Sequence, residues 1–263
     1  TLTFGANVFW TASDFRPNLT FKYDRPFKRY EIEVRGAWGN NGVFNAGKSR
    51  VTMGNAATLG VNSVQNLAGS SITTFADLRI YNNNHVYAQN DFIVNDTLQL
   101  TAGRLKLNNR LATIDNPMPT AITRINGFLQ SDQDVIANNT GPYGRIKWNI
   151  SDTLGTYILP FVNSGGINVF MDYTTTAGTH NTIFATHGTS PTNVSTPVPI
   201  TNINGYFTGT NNSVNMVDRY YMIDNTAGAG ATADINFRYA NSERAAGGNT
   251  AMTAQRWLAP SAG

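Results

Sequence analysis

Two apolar triplets, Leu78-Arg79-Ile80 and Leu98-Gln99-Leu100, lie 20 positions apart in the sequence. In each triplet two apolar side chains flank a polar one, so both apolar side chains point to the same face of an extended strand. A spacing of this size is a plausible length for one turn of a parallel β-solenoid, in which equivalent strands stack on one another. The two triplets therefore predict a pair of stacked strands.

The surrounding residues, 37–145, continue this pattern. Short apolar pairs alternate with a few polar residues or glycines, and asparagine clusters such as Asn40-Asn41 and Asn82-Asn83-Asn84 interrupt them. Asparagine tolerates the positive φ of tight corners, and stacked asparagine side chains can hydrogen-bond between turns. We interpret residues 37–145 as a β-solenoid. An antiparallel sandwich of short strands uses similar spacing and is the alternative.

The pattern changes after residue 146. Longer alternating stretches, such as 146–150 and 234–239, are joined by long polar connections, which is typical of an antiparallel β-sandwich over residues 146–263. Residues 1–36 are interpreted as terminal strands of a preceding module. No stretch has the 3.6-residue periodicity of a capped helix. The predicted fold class is all-β: a parallel β-helix followed by an antiparallel β-sandwich.

The composition excludes several classes of function. Charged residues make up 13% of the 263 residues, about half the ordinary fraction, and the net charge of +3 includes no basic run. We therefore expect no nucleic-acid partner. Because the chain has no cysteine, a disulfide framework, a thiolate metal site and a cysteine nucleophile are excluded. No uninterrupted apolar stretch is long enough to span a membrane.

Five short motifs in order carry a resemblance to a known family. The stretch Trp38-Gly39-Asn40-Asn41-Gly42-Val43-Phe44-Asn45-Ala46-Gly47 resembles the W-x-N-N-G-x-F-x-A-G segment of large secreted surface proteins of Bacteroidota. The later elements of that family are matched by Phe75 to Asn82, Leu98 to Leu107, Trp148 to Phe161, and a closing set at 217–223, 237–239 and 254–257. Phe161 is followed by Val162-Asn163, where the family usually has glycine.

The resemblance spans residues 36–258 and implies a non-enzymatic protein. It implies export by the type IX secretion route and display on the cell surface, in adhesins or filaments. It also implies that Trp38 and Trp148 fill core layers and that Gly42, Gly47 and Gly103 turn corners. The sorting domain that this family carries at its C-terminus is not recognisable here. Partners implied are other copies of the chain or adjoining modules, with surface glycans as a further class.

The histidines do not predict a metal or catalytic site. His180 and His187 are seven positions apart, which matches no common metal-ligand spacing, and no carboxylate accompanies them in the sequence. We expect these two and His85 to lie in exposed loops. The sequence has no G-x-S-x-G motif, no phosphate-binding loop and no H-E-x-x-H motif. The prediction is therefore no catalytic residue, no cofactor and no metal.

Asp132 and Asp134 are the one acidic pair that merits comparison with polysaccharide-cleaving β-helices. Residues at positions i and i+2 of a strand point the same way, and glycoside cleavage needs two carboxyls within about 5–10 Å. The surrounding Gln130-Ser131-Asp132-Gln133-Asp134 has the composition of a polar turn. We expect a solvated loop, with a calcium contact or catalysis as the alternatives.

The repeated triplet Asp-Thr-Leu predicts modification. It occurs as Asp96-Thr97-Leu98 and Asp152-Thr153-Leu154. It fits the short O-glycosylation acceptor of secreted proteins in the bacterial group named above. Thr97 and Thr153 are therefore the candidate O-glycosylation sites.

Three functional hypotheses remain from the sequence. The first is a structural or adhesive module of an extracellular bacterial surface protein that forms a stalk, fibre or filament. The second is a carbohydrate-binding or polysaccharide-cleaving β-helix, which requires a cluster of charged and aromatic side chains on one exposed face. The third is a phage fibre or spike, for which threefold symmetry is the distinguishing feature.

Overall fold

The computed structural model describes residues 3–4, 19–24, 29–54, 64–133, 143–188, 217–227 and 230–244, with side chains from residue 29 onward. Within these residues the chain forms β-strands, no α-helix, and two short 3-10 helices, Pro119–Ala121 and Asn241–Glu243. No helix in this part of the chain is long and apolar enough to cross a membrane. The all-β prediction is confirmed.

Most strands in the first part of the chain pair in parallel. Its described strands are β1 (Thr3–Phe4), β2 (Leu19–Asp24), β3 (Arg29–Val34), β4 (Trp38–Gly39), β5 (Phe44–Asn45), β6 (Ser49–Gly54), β7 (Gln65–Ala68), β8 (Thr73–Ala88), β9 (Phe92–Lys106), β10 (Leu111–Ile114), β11 (Ile122–Arg124) and β12 (Phe128–Gln130). β1 pairs antiparallel with β5, and β2 pairs antiparallel with β3. From β3 onward, all the described pairings among β3, β4 and β6 to β12 are parallel. These ladders exclude the antiparallel alternative for the segment.

The parallel strands form three faces of a β-solenoid of about four turns. The first face stacks β3, β6, the middle of β8, the middle of β9 and β11. The second stacks β7, the end of β8, the end of β9 and β12, and the third stacks the start of β8, the start of β9 and β10. Each turn of the chain visits all three faces in succession.

The register of the first face agrees with the 20-residue spacing in the sequence. Leu78 lies opposite Leu98, and Ile80 lies opposite Leu100. Apolar side chains from successive turns therefore stack into continuous interior rows. One row on the first face consists of Ile32, Val51, Leu78, Leu98 and Ile122. One row on the second face consists of Val86, Leu105 and Leu129. One row on the third face consists of Phe75, Val94, Ile114 and Trp148.

The strands of the solenoid are longer than the short apolar pairs in the sequence predict. β8 has 16 residues and β9 has 15, because each stays extended through two corners and passes across all three faces. Register shifts between Phe75 and Asp77 and between Asn82 and Val86 mark those corners. The polar residues that separate the apolar pairs therefore lie where one continuous strand bends.

The corners use glycine and asparagine as predicted. Gly47 and Gly103 have φ of 54° and 71°, a region that favours glycine. Gly42 differs, because it lies in a bend where its N–H donates to the side chain of Asn40. Asparagine side chains donate to backbone carbonyls of the neighbouring turn, as Asn90 does to Gly69 and Asn108 does to Ala88. Trp38 and Trp148 are 1% and 0% exposed and fill the core.

The second part of the chain forms two antiparallel sheets that face each other. Its strands are β13 (Arg145–Ser151), β14 (Gly155–Leu159), β15 (Met171–Ala177), β16 (His180–Gly188), β17 (Arg219–Asn225) and β18 (Thr232–Phe237). One sheet has the order β13-β16-β17 and the other β14-β15-β18. Tyr173 of one meets Phe184 of the other with ring centroids 5.1 Å apart. The predicted antiparallel β-sandwich is confirmed.

The solenoid and the sandwich share one sheet. β13 pairs in parallel with β10 of the solenoid and antiparallel with β16 of the sandwich. At the other end, β3 pairs in parallel with β6 and antiparallel with β2. Backbone pairing thus continues across the positions where module boundaries were expected, near residues 36 and 145. The closing motif at 254–257 lies outside the described residues.

Candidate functional site

The acidic residue Asp132 is buried, which corrects the expectation of a solvated loop. It follows β12 at the last turn of the solenoid, and its side chain is 1% exposed. The loop expectation failed because the partner of Asp132 is 87 positions away in the sequence, at Arg219. Asp134, the second member of the sequence pair, lies outside the described residues.

Arg219, at the start of β17, is the centre of an ion cluster with Asp132 and Glu243. Its Nη2 lies 3.0 Å from Oδ2 of Asp132, and its Nη1 lies 3.2 Å from Oδ1. Its Nε lies 2.8 Å from Oε2 of Glu243, and Nη2 also donates to Oε1 of that residue. The remaining donor of Nη1 bonds Oγ1 of Thr186 at 3.0 Å. All five donors of the guanidinium are therefore used.

The two carboxylates are also bound by the surrounding backbone. Asp132 accepts hydrogen bonds from the N–H groups of Ser164 and Gly188. Glu243 accepts one from the N–H of Ala240 and one from Nδ2 of Asn163. Because every partner is satisfied, the cluster avoids the penalty of an unpaired buried charge. It joins the last solenoid turn, strands β16 and β17, the connection between β14 and β15, and the 3-10 helix Asn241–Glu243.

Burial opposes all three charges of the cluster, with different results. For Asp132 burial outweighs the charge and hydrogen bonds of Arg219, and the pKa of its carboxyl is raised. For Glu243 burial also raises the pKa, but the hydrogen bond and charge of Arg219 more than offset it, and the pKa is lowered. The pKa of Arg219 rises because its two carboxylate partners outweigh its burial.

His187 lies beside this cluster and is 1% exposed, which corrects the prediction of a loop histidine. It belongs to β16, its ring stacks on Tyr143 at 3.7 Å between centroids, and its Nδ1 is 2.9 Å from the carbonyl oxygen of Gly188. Burial, with a smaller contribution from the charge of Arg219, lowers its pKa to about 4. The ring is therefore neutral at physiological pH.

His180 is also buried, at 0% exposure, contrary to the same prediction. Its Nε2 lies 2.9 Å from the carbonyl oxygen of Ala177, so this nitrogen carries the proton. Its Nδ1 then accepts from the hydroxyl of Tyr173 at 2.8 Å. The histidine thus links β15 to β16. His85 lies in a corner of the solenoid with φ of 78° and is partly buried.

Ser131, Asp132 and His187 come close together but do not form a catalytic triad. Ser131 donates its hydroxyl hydrogen to the carbonyl of Gly144, Asp132 binds Arg219, and His187 directs Nδ1 to a backbone carbonyl. A triad requires the base to bond both the nucleophile and the orienting acid. Among the described residues, no group of three or more histidine or acidic side chains could hold a metal ion.

Both candidate glycosylation threonines, Thr97 and Thr153, are half-buried, and they differ in the residues around them. Thr153 lies in the turn after β13, between the exposed Asp152 and Leu154, which is 62% exposed. Thr97 lies within β9, where its N–H donates to Asp77 and the next residue, Leu98, is fully buried. Of the two, Thr153 has the environment of an acceptor site.

A buried polar ladder inside the solenoid was not predicted from the sequence. Gln65 donates its Nε2 to the carbonyl oxygens of Val34 and Gly36, at 2.7 and 2.8 Å, and accepts a bond from Nδ2 of Asn82 at 2.9 Å. These side chains satisfy backbone groups at one corner across successive turns. The asparagine-rich composition was the available signal, but Gln65 has no local pattern that marks it.

A surface depression lies on the third face of the solenoid. It has a volume of about 400 Å³ and is lined by Val43, Phe44, Asn45, Ala46, Gly47, Thr74 and Asn95. None of these side chains is titratable. The depression therefore offers hydrogen bonding and apolar contact without a charged group.

The fold defines a three-sided parallel β-solenoid that is closed by an antiparallel sandwich. No family model matches the chain, and neither the curated proteins nor the solved structures include a match.

Proposed function

We propose that this chain is a structural and adhesive module of an extracellular bacterial surface protein, one unit of a stalk, fibre or filament. The observation that supports this proposal most directly is the single sheet that runs from β2 through the solenoid to β17. Backbone hydrogen bonds connect each strand of this sheet to the next. A force applied at one end of the module is therefore transmitted to the other end through paired strands. Nearest-neighbour contacts of this kind give solenoids their stiffness.

The chemistry of the buried cluster supports the same proposal over an enzymatic alternative. The side chains of Asp132 and Arg219 are 1% and 0% exposed, and every donor of Arg219 is used within the protein. A polysaccharide-cleaving site needs carboxyls that a sugar can reach. The cluster therefore favours a role in holding the module together.

The sequence resemblance adds the cellular context. Residues 36–258 resemble surface proteins of Bacteroidota that leave the cell by the type IX route, and the low content of charged residues suits a neutral, hydrogen-bonding exterior. We infer display at the cell surface, with other copies or adjoining modules as partners. Surface glycans are a further class of partner for the adhesive role.

Immunogold electron microscopy of the native source tests this proposal. Antibodies against the chain should decorate fibres or stalks on the cell surface, and deletion of the gene should remove both the label and cell adhesion. Label confined to the cell interior would overturn the proposal. So would polysaccharide cleavage by the purified protein that is abolished by Asp132→Asn.

A further inference from the structure

An exposed arginine is stacked on an aromatic ring where the last solenoid turn meets the sandwich. The Cζ atom of Arg124, at the end of β11, lies 4.3 Å from the ring centroid of Phe128, at the start of β12. Its Nε donates to the carbonyl oxygen of Gly127 at 2.9 Å. A guanidinium that is stacked on a ring and bonded through Nε is fixed in orientation, and its two Nη groups stay available as donors.

A second arginine reaches the same place from the sandwich. Arg238 follows β18, and its Cζ lies 5.7 Å from the ring centroid of Phe170. The Cζ of Arg124 lies 5.3 Å from that same centroid, and the rings of Phe128 and Phe170 are 6.2 Å apart. These distances are within the range of cation–π attraction. We name the four side chains Arg124, Phe128, Phe170 and Arg238 the arginine patch.

The arginine patch carries more positive charge than the side chains around it neutralise. Nη2 of Arg238 lies 3.0 Å from Oδ2 of Asp172, and the side chain of Arg238 remains 53% exposed. Within the part of the chain that the structure describes, Arg124 forms no ion pair, and its hydrogen bond to Gly127 uses Nε alone. The two guanidiniums therefore share one carboxylate. The Nη groups of Arg124 can bind a further carboxylate through parallel hydrogen bonds.

Polar side chains continue from the patch across the outer face of the β14-β15-β18 sheet. Asp172 and Thr174 of β15 are partly exposed and alternate with buried residues, so they point away from the core. Asn236 of β18, which is exposed, lies opposite Asp172. The hydroxyl of Thr156 on β14 lies 3.0 Å from that of Thr174. This face thus presents hydroxyl and amide groups beside the two guanidiniums.

We propose that the arginine patch and the outer face of the β14-β15-β18 sheet bind an acidic polysaccharide. Arg124 and Arg238 hold uronate carboxylates, and the threonine and asparagine side chains of the sheet bond sugar hydroxyls. The charge of the patch favours an anionic partner, and the planar guanidinium matches the two oxygens of a carboxylate. The inference rests on the proposed function, since display at the cell surface brings the chain into contact with extracellular glycans.

The two phenylalanines of the patch act through the arginines. A free arginine side chain loses rotamer freedom when it binds a ligand, and this loss opposes binding. Stacking on Phe128 and Phe170 restricts Arg124 before any ligand arrives. The exposed cluster of charged and aromatic side chains that a glycan-binding β-helix requires is therefore present at this junction.

Isothermal titration calorimetry of the full chain with polygalacturonate, in calcium-free buffer of low ionic strength, tests the proposal. Fully methyl-esterified homogalacturonan is the matched control ligand, because it has the same sugar backbone without the charges. We expect polygalacturonate to bind at least about tenfold more tightly than the ester. Its affinity should fall as salt is added, because salt screens exposed charges. Equal affinity for the two polymers, or no binding of polygalacturonate, would overturn the proposal.

Charge-removing variants locate the site. Arg124→Gln and Arg238→Gln should each weaken polygalacturonate binding at least about tenfold, because each removes charge-assisted hydrogen bonds to a carboxylate. Lys48→Gln is the matched control, since it removes the same charge from an exposed residue. Lys48 precedes β6, which β8 and β9 separate from β11 on the first face. Its affinity should change less than about twofold. Equal losses in all three variants would contradict a site at the patch.

Arg124→Lys separates the shape of the guanidinium from its charge. This variant should bind polygalacturonate more weakly than the wild type and more tightly than Arg124→Gln, because an ammonium group lacks the planar pair of donors. Its melting temperature should stay within about 3 °C of the wild type, as expected for an exposed substitution. Wild-type affinity in Arg124→Lys would contradict recognition by the planar pair of donors.

A sulfated polymer distinguishes the kind of anion. Affinity for dextran sulfate without affinity for polygalacturonate would contradict a carboxylate ligand. Failure of this proposal is also separate from failure of the proposed function, because calorimetry does not depend on where the protein resides in the cell. Immunogold label confined to the cell interior would overturn the proposed function and leave the binding result as measured.

Discussion

The indole ring of Trp148 meets the phenol ring of Tyr157 edge-on, with 4.9 Å between the ring centroids and 86° between the planes. Trp148 belongs to β13, the strand shared by the solenoid and the sandwich, and Tyr157 belongs to the facing sheet. The indole N–H donates to the carbonyl of Asn116, and the phenol hydroxyl donates to that of Pro117. The two rings therefore join the last solenoid turn to both sheets.

Replacement of Trp148 by alanine should lower the free energy of unfolding by about 3–5 kcal/mol, because it removes a fully buried ring and leaves a cavity. Circular dichroism during urea denaturation measures this loss. Ile158→Ala is the matched control: Ile158 lies on β14 next to Tyr157 but is 49% exposed, and its change should be within about 0.5 kcal/mol. Equal losses of unfolding free energy in the two variants would show that burial of the Trp148 ring does not stabilise the protein.

Gly103→Ala should destabilise the protein more than Gly230→Ala. Both glycines have positive φ, 71° and 92°, so both variants carry the backbone strain of alanine in that region. A Cβ at position 103 would lie 1.8 Å from the carbonyl oxygen of Asn82, whereas one at position 230 meets nothing within 4 Å. We expect the Gly103 variant to melt at least about 5 °C below the Gly230 variant. Equal melting temperatures would mean that the solenoid corner relaxes freely.

The burial of His187 predicts a pH dependence of stability. Its pKa is about 4 in the folded protein against an ordinary value of 6.5, so the unfolded chain binds more protons between these pH values. The contribution of His187 to the free energy of unfolding is therefore fully present above pH 6.5. It falls by about 3 kcal/mol as the pH is lowered toward 4. His187→Gln should flatten this slope in denaturation measurements between pH 7 and 4. An unchanged slope would assign the acid sensitivity to other groups.

An O-linked glycan, if the native protein carries one at an Asp-Thr-Leu triplet, should be found on Thr153. The residues on both sides of Thr153 are exposed, whereas Thr97 is followed by a fully buried leucine within β9. Peptide mass mapping of protein from the native source measures the occupancy of each site. Thr153→Ala should remove the added mass and Thr97→Ala should not. A glycan on Thr97 with Thr153 unmodified would contradict this prediction.

The periodic part of the fold was predictable from the sequence because its information is local. Leu78 and Leu98 are one solenoid turn apart in the sequence and are cross-strand partners in the structure. The alternation of apolar and polar residues around each leucine marks the side of the strand that faces the core. The stacking of these strands could therefore be predicted from the sequence spacing. The change of pattern near residue 146 likewise indicated the sandwich. Strand length was predicted less well, because polar residues at a solenoid corner and polar residues in a loop have the same composition.

The buried polar groups were not predictable, because their partners are far away in the sequence. Asp132 precedes Arg219 by 87 positions. Tyr143 and His187 are also far apart in the sequence, and the pairing of β13 with β16 brings their rings together. An aspartate or histidine in a polar stretch is exposed in most proteins. Only the register of the antiparallel strands brings Arg219 and Thr186 to the end of the solenoid, where they enclose Asp132.

The in-register stacking of turns has a consequence for how proteins of this architecture change size. One turn of about 20 residues adds one strand spacing of roughly 4.8 Å to each face. A duplicated turn can insert between two existing turns without altering β3 at one end or β13 at the other, because within the solenoid β3 pairs with β6 and β13 pairs with β10. Length can therefore change in uniform steps during evolution, while the terminal surfaces that join the neighbouring parts stay the same.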